Sequence, residues 1–286
     1  MRFLALLLVL CFALPLNAGA VDRTVTTSDG VRLHIVDVGP EDDVNRPVLV
    51  FVPGWTMPGW IFQPQIDEFS KHYRVVAIDP RGQGQSEAPA QGYVHTRRGE
   101  DIADVIDSLH LGRVVLVGWS LGVLDSLAYV HMHGDSALAG LVLIDNSVGE
   151  EPPPAPPREK PAPVGRKLSH AEYMALFVRG MFHRAQPQAY LNRLTQMCLR
   201  TPERAAKQLL AYPVPRSYWK DALYSTTRPV LYVVRPAFAG QAGNLAAHRK
   251  ATETMVVDGL GHALFVDDPA RFNATMADFL MRKVGG

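Results

Sequence analysis

The sequence predicts an α/β fold in which helices cover both faces of a largely parallel sheet. Short, wholly apolar segments recur along the chain, as expected for strands buried on both faces. Segments with apolar residues at helical spacing separate them. The 286-residue chain is 47% hydrophobic, which is enough for a large core. Its 29 Lys and Arg residues against 28 Asp and Glu residues do not favour nucleic acid or an anionic surface as a partner.

The first 20 residues have the features of a signal peptide. Arg2 provides a positive start, and the apolar stretch 3–16 is too short for a membrane span. Small residues precede Ala20, where we expect cleavage; an uncleaved N-terminal anchor is the alternative. The mature chain would have no stable membrane span. Its one cysteine would be Cys198, so no intramolecular disulfide forms, which favours a bacterial periplasm or the medium.

Strands and helices alternate through the first part of the predicted core, residues 21–146. The active sites of such sheets lie beyond the carboxyl ends of the strands. The loops after Val52, Ile78, Val117 and Ile144 are therefore the regions in which to look for a site. The predicted strands are 24–27, 31–38, 48–52, 74–78, 114–117 and 141–144, and the predicted helices are 60–69, 96–109 and a helix after Ser120.

The alternation is interrupted over residues 147–227, which we interpret as a helical lid. Seven prolines between positions 150 and 163 predict a stiff, extended connector. Helices are expected near 169–184, 188–199 and 202–211. The apolar residues of the first helix either line a substrate pocket or form a small core of the lid, and we favour the second interpretation; they are Met174, Phe177, Met181 and Phe182.

The alternation returns in the second part of the core, residues 228–286. Strands are predicted at 230–234 and 254–257, with a helix near 244–249 between them. A closing helix is predicted over 269–284, with Pro269 in its first turn.

A nucleophile elbow is predicted at residues 118–122, which read Gly-Trp-Ser-Leu-Gly. An apolar strand precedes this motif and a helix follows it, which is the context that the elbow requires. Gly118 and Gly122 would keep side chains away where strand and helix crowd. Ser120 is then an exposed nucleophile; the alternative is a tight glycine-rich turn with an idle serine.

A serine hydroxyl is a weak nucleophile at neutral pH and needs a base, which itself needs an orienting carboxylate. Of the ten histidines, His262 alone lies in a glycine-flanked loop directly after a late buried strand. That loop belongs to the carboxyl edge of the predicted sheet. His262 is therefore the candidate base.

These segments resemble the α/β-hydrolase superfamily, specifically its lidded branch. That branch includes esterases, cofactor-free haloperoxidases (perhydrolases), haloalkane dehalogenases and C–C hydrolases. The resemblance covers residues 24–146 and 228–284. It implies the α/β-hydrolase fold, with a mostly parallel eight-stranded sheet and a helical lid, and it implies no metal or organic cofactor. The matching segments are 51–55 (FVPGW), 79–86 (DPRGQGQS), 118–122 (GWSLG) and 261–262 (GH).

The acid of the expected triad is displaced in this chain. The family usually places it after the strand that ends at Val234, but residues 235–241 contain no Asp or Glu. Asp145 ends the preceding strand and preserves the order Ser, Asp, His, so it is the candidate acid; a strand-capping role is the alternative. Asp258 and Asp267, near His262 in sequence, are fallbacks, and Asp125 on the elbow helix is disfavoured.

The oxyanion hole is expected from two backbone N–H groups. Leu121 supplies one at the start of the elbow helix, and by resemblance Trp55 supplies the other. The family normally has His where this chain has Pro53. The tryptophans at 55, 60 and 119 are candidates for the acyl-pocket wall, and by resemblance Asp79 and Arg81 pin their own loop.

These features predict an exported serine hydrolase that acts on small to medium carboxylic esters as small-molecule substrates. A perhydrolase or haloperoxidase-like activity and C–C hydrolysis would use the same triad. Lactonase and aminopeptidase activities stay open, and no feature indicates an oligomeric state. A dehalogenase or epoxide hydrolase would need Asp at position 120. The missing carboxylate after Val234 also leaves an inactive hydrolase-fold binding protein as an alternative.

Overall fold

A computed structural model describes residues 21–40, 46–154 and 168–285. The expected signal peptide over residues 1–20 and most of the expected proline-rich connector lie outside the described residues. Among the helices of the described ranges, none has both the length and the apolar character of a membrane span.

The described residues form one eight-stranded sheet in the order β1-β2-β4-β3-β5-β6-β7-β8. Strand β2 is antiparallel to β1 and β4, and the neighbours from β4 to β8 pair in parallel. This confirms the predicted mostly parallel eight-stranded sheet. The strands are β1 Val21–Thr26, β2 Arg32–Val38, β3 Val48–Val52, β4 Val75–Ile78, β5 Val114–Trp119, β6 Leu138–Ile144, β7 Val230–Val234 and β8 Thr252–Val256.

Ten α-helices accompany the sheet in the described ranges. Two of them, the seventh and the ninth, were absent from the sequence prediction. They are α1 Gln63–Phe69, α2 His95–Ser108, α3 Leu121–His133, α4 His170–Gly180, α5 Gln188–Leu199, α6 Glu203–Leu209, α7 Ser217–Ser225, α8 Ala239–His248, α9 Leu264–Asp267 and α10 Pro269–Phe279. A 3-10 turn, Gly59–Phe62, precedes α1, and a π-helical turn, Leu280–Val284, follows α10.

The core has one apolar layer on each face of the sheet. Successive strand side chains point to opposite faces, so β5 contributes Val114 and Leu116 to one layer and Val115 and Val117 to the other. Helices α2, α3 and α7 pack on the first face, and α1 and α10 pack on the second. Strand β5 is buried along its whole length, which fixes the position of the turn that follows it.

The expected lid region contains helices α4 to α7. Met174 and Met181 are fully buried, and they join the core layer that also contains Phe265. The Phe177 ring packs edge-on against Trp55, with 5.0 Å between ring centroids. These apolar side chains of the helical region therefore pack onto the sheet's own core and onto the loop after β3, rather than forming a separate core.

Candidate active site

Ser120 lies at the turn between β5 and α3, in the conformation expected of a nucleophile elbow. Its backbone has φ 54° and ψ −119°, a strained conformation for a residue other than glycine. A side chain at Gly118 would collide with the Gly122 carbonyl, and one at Gly122 would collide with the Val52 carbonyl oxygen. Both glycines are therefore required by the close approach of strand, helix and the neighbouring loop. The Ser120 N–H donates to the Ile144 carbonyl at 2.9 Å, which fixes the turn against β6.

The structure brings Ser120, His262 and Asp145 into one hydrogen-bonded chain. His262 Nε2 lies 2.9 Å from Ser120 Oγ, and His262 Nδ1 lies 2.6 Å from Asp145 Oδ2. Asp145 directly follows β6 and has φ 50°, which Asp tolerates better than most residues. Its N–H donates to the Val233 carbonyl at 2.9 Å, so β7 holds the acid at the carboxyl edge of the sheet.

Asp145 is only 1% exposed, yet its surroundings favour the ionised carboxylate. Burial by itself raises the pKa of Asp145, but the hydrogen bond to His262 and the positive charge of Arg235 lower this pKa below its usual value. Arg235 donates from its backbone N–H to Oδ1 at 2.9 Å and from Nε to Oδ2 at 2.6 Å. A negative Asp145 is suited to hold Nδ1–H of His262, leaving Nε2 to accept a proton from Ser120.

The contact from Arg235 was missed by the sequence reasoning, although a signal was present. Arg235 is the first residue after β7, where the resemblance leads one to expect the acid. The loop that begins there instead provides an arginine that donates to the carboxylate at the end of the adjacent strand, β6. Its side chain is 34% exposed, and its Nη2 lies 3.4 Å from His262 Nδ1.

Two further contacts hold the His262 loop. Trp119, inside the elbow motif, donates from Nε1 to the His262 carbonyl at 2.9 Å, and its ring centroid is 5.1 Å from that of His262. Trp119 is 1% exposed and thus supports the loop from within the core. The Ala263 N–H donates to the Met181 carbonyl at 3.0 Å, which attaches the loop to the turn after α4.

The two fallback acids lie away from the imidazole nitrogens. Asp267 is buried and accepts from the backbone N–H groups of Gly261 at 2.7 Å and His183 at 2.8 Å, so it ties the His262 loop to the turn after α4. Asp258 accepts from the Gly259 N–H at 2.8 Å within its own exposed turn. In this arrangement, the carboxylate that contacts His262 is Asp145.

The loop after β3 lies directly against the nucleophile. A side chain at Gly54 would place its Cβ 2.9 Å from Ser120 Cβ. The Trp55 indole donates to the Ala206 carbonyl of α6 at 2.7 Å, and the Thr56 N–H donates to Gln83 Oε1. Within the described residues, neither the Trp55 nor the Leu121 backbone N–H has an acceptor, so both donors are free for an oxyanion.

The 79–86 loop is pinned by the residues that the resemblance singled out. Asp79 accepts from the N–H groups of Gly59 at 2.6 Å and Gln85 at 2.8 Å. Arg81 is fully buried and forms paired hydrogen bonds with Asp101 and Asp29. The loop thereby holds Gln83 against the loop of Trp55.

Asp125, the polar residue on the elbow helix, points into the protein interior and pairs with Arg98 of α2. Arg98 Nε donates to Asp125 Oδ1 at 2.8 Å, and both side chains are almost fully buried. Trp60, a candidate for the acyl-pocket wall, packs edge-on against Tyr190 with Arg193 over its ring. In the described ranges, no group of three or more His, Cys, Asp or Glu side chains is placed to hold a metal ion.

The sheet topology, the strained serine at an elbow and the Ser–His–Asp hydrogen-bond chain define the α/β-hydrolase class. The model of the Alpha/beta hydrolase family matches residues 49–275, and the chain belongs to this family. Non-heme chloroperoxidase of Streptomyces lividans is 36% identical over 122 residues, covering 42% of this chain and 43% of the relative. The bifunctional esterase/perhydrolase DCH of Acinetobacter calcoaceticus is 36% identical over 121 residues, with the same coverage.

Solved structures have the same fold over nearly the whole chain. The esterase RhEst1 from Rhodococcus sp. ECU1013 superposes with a TM-score of 0.74 at 22% identity, covering 92% of this chain and 99% of that structure. In sequence, by contrast, the chain covers less than half the length of the two curated relatives.

Proposed function

We propose that the chain is an exported serine hydrolase that cleaves small to medium carboxylic esters through an acyl-enzyme. The observation that carries the proposal is the continuous hydrogen-bond chain from Ser120 Oγ through His262 to Asp145. This hydrogen-bond chain lies at the carboxyl edge of the central strands, where the backbone N–H groups of Trp55 and Leu121 have no acceptor among the described residues. Family membership supports the hydrolase class, and the names of the relatives, one an esterase/perhydrolase, support the ester substrate.

In the first half-reaction, Ser120 Oγ attacks the ester carbonyl carbon while His262 Nε2 takes the hydroxyl proton. Asp145 holds the imidazole through Nδ1 and stabilises the imidazolium. The Trp55 and Leu121 N–H groups donate to the oxyanion of the tetrahedral intermediate. When the intermediate collapses, the carbon–oxygen bond to the alcohol breaks and His262 returns its proton to the departing oxygen.

In the second half-reaction, water replaces the alcohol. His262 takes a proton from the water as it attacks the acyl carbonyl, and the carboxylic acid leaves as Ser120 regains its proton. The same groups therefore serve both halves, and the scheme requires no metal or organic cofactor.

Hydrolysis of p-nitrophenyl acetate, butyrate and octanoate by the purified protein tests the proposal. We expect turnover in the wild type and a loss of about 10⁴-fold or more in kcat for Ser120→Ala. The variant should unfold at the same denaturant concentration as the wild type, and a fluorophosphonate probe should label only the wild type. An active Ser120→Ala protein would contradict the mechanism, and a wild type that neither hydrolyses nor labels would favour a binding protein.

Perhydrolysis is the second candidate function, because the Streptomyces and Acinetobacter relatives match this chain to the same extent and carry peroxidase or perhydrolase names. Hydrogen peroxide would then replace water in attacking the acyl-enzyme and release a peracid. Peracetic acid formation from p-nitrophenyl acetate and hydrogen peroxide, measured beside hydrolysis of the same ester, separates the two activities. A peracid yield that disappears in Ser120→Ala would assign perhydrolysis to the same site.

A further inference from the structure

Arg235 contacts both members of the acid–base pair. Its backbone N–H and its Nε reach the two carboxylate oxygens of Asp145 at 2.9 and 2.6 Å. The oxygen that accepts from Nε is Oδ2, which also accepts from His262 Nδ1 at 2.6 Å. One carboxylate oxygen thus bridges a guanidinium and an imidazole. Because Pro236 follows and a 3-10 turn begins there, the backbone that presents Arg235 is restrained.

The guanidinium is also close to the imidazole itself, with Arg235 Nη2 3.4 Å from His262 Nδ1. Nδ1–H and Nη2–H are both donors when Asp145 is ionised, so this approach is not a hydrogen bond but a contact between a permanent positive charge and the ring. A positive charge gained by the ring would be repelled by the guanidinium at this distance, while the nearer Asp145 carboxylate would attract it.

We propose that Arg235 is a positioning residue that holds the Asp145 carboxylate toward His262 and places a fixed positive charge beside the imidazole ring. The inference rests on the proposed function, in which His262 is the general base for Ser120. The resemblance led one to expect the acid at the end of β7. In this chain the residue there is a cation, and it restrains an acid supplied by β6.

Other charged groups near the loop are engaged elsewhere. Asp267 binds backbone N–H groups of the loop and of the turn after α4, and Asp258 binds its own turn. From the helical region, His183 Nδ1 contacts the Gly259 carbonyl, and Arg184 pairs with Asp268 at 3.0 Å. Among the described residues, the side chains within hydrogen-bonding distance of the His262 nitrogens are Ser120, Asp145 and Arg235.

Two variants of Arg235 and one control variant separate the effect of the Arg235 charge from the effect of its side-chain shape. Arg235→Met removes the charge and keeps the length of the side chain, whereas Arg235→Lys keeps the charge and removes the Nε contact. Both retain the backbone N–H that binds Asp145 Oδ1, so the acid stays anchored. Arg184→Met is the matched control, because it removes a positive charge from the turn after α4 that packs against the same loop.

The readout is the titration of His262, followed by NMR of histidine-labelled protein, with His262→Gln identifying the resonance. We expect the midpoint to rise by about one pH unit in Arg235→Met, since solvent at the partly exposed guanidinium screens a larger effect. Arg235→Lys should shift it by less than half as much, and Arg184→Met should leave it unchanged. The acid limb of kcat/KM for p-nitrophenyl butyrate should move with the NMR midpoint.

A rise smaller than about half a pH unit in Arg235→Met, or an equal shift in either of the other two variants, would overturn the inference. A purely structural role for Arg235 would lower activity without moving the midpoint. The NMR titration needs no substrate, so it gives its answer even if the protein hydrolyses no ester, and failure of the proposed function is thereby distinguished from failure of this inference.

Discussion

Two buried aspartates near the elbow are each paired with one arginine, yet their surroundings affect ionisation in opposite directions. Asp145 receives three donors, from the backbone and side chain of Arg235 and from His262. Among the described residues, Asp125 accepts one side-chain hydrogen bond, from Arg98 Nε. Burial raises the pKa of Asp125 to about 6 despite the Arg98 charge, whereas the pKa of Asp145 is lowered.

The comparison indicates that an arginine partner alone does not bring the pKa of a buried carboxylate below its ordinary value. At Asp145 the His262 hydrogen bond, the neighbouring positive charges and the Arg235 N–H together outweigh burial, because each donor replaces part of the hydration that burial removes. Asp145 has the donors that a permanent anion facing an imidazole needs. Asp125 has the features of an interior polar residue that links α3 to α2.

The substitution Asp145→Asn should remove most of the activity, whereas the same change at Asp125 should not. An amide NH2 group that faces His262 Nδ1 favours the tautomer with the proton on Nε2, and Nε2 can then no longer accept the Ser120 proton. We therefore expect kcat to fall by about three to four orders of magnitude. Asn also tolerates the positive φ of Asp145, so the backbone should be undisturbed. The matched control is Asp125→Asn, which should keep kcat within about threefold, since Asp125 contacts none of the three site residues. Equal losses in both variants would remove the distinction between the two aspartates.

Much of the fold follows from local patterns. The bounds of β3, β7 and α5 in the structure coincide with the predicted segments 48–52, 230–234 and 188–199. Helix α8 begins at Ala239 rather than at 244, because Gly240 and Gly243 weaken the helical signal at its start. Helix α7 is stabilised by packing on α3 through Trp219, Ala222 and Leu223, which a short stretch of sequence does not reveal.

The candidate site likewise has residues that a local pattern predicts and contacts that it does not predict. Ser120, His262 and Asp145 are each marked by a local pattern, a glycine-flanked motif or the last position of a strand, and the structure places them together. The contacts that restrain them join distant segments. Arg235 meets Asp145 only because β6 and β7 pair in register, and Asp267 meets His183 only because the helical region folds back onto the loop of His262. No local pattern encodes such pairings.

The stability of the wild type relative to Asp125→Asn should depend on pH. With a folded-state pKa of about 6 against an ordinary value of 3.8, the folded protein binds the Asp125 proton more tightly than the unfolded chain does. The wild type therefore loses stability relative to the variant as pH rises from about 4 to about 6, by about 2–3 kcal/mol, and the difference is constant above that range. Urea denaturation of both proteins across this range measures it. A difference that rises or stays flat with pH would mean that Arg98 outweighs burial.

The same measurement at Asp145 should give a smaller change in stability, with a pH dependence of the opposite sign. Because the folded-state pKa of Asp145 is lowered, its contribution to stability is fully present above the unfolded-state value of about 4 and is lost as pH falls below it. At pH 7 we expect the wild type to be more stable than Asp145→Asn by about 1–2 kcal/mol, somewhat less than the roughly 1.5–3 kcal/mol of a hydrogen bond to a charged group, because burial of the carboxylate opposes the gain. The difference should narrow between pH 5 and pH 3. The stability difference between wild type and variant should therefore change with pH in opposite directions for the two Asp→Asn variants. Effects of pH that are common to wild type and variant cancel in each difference. If both slopes had the same sign, the donors around Asp145 would not be what separates the two carboxylates.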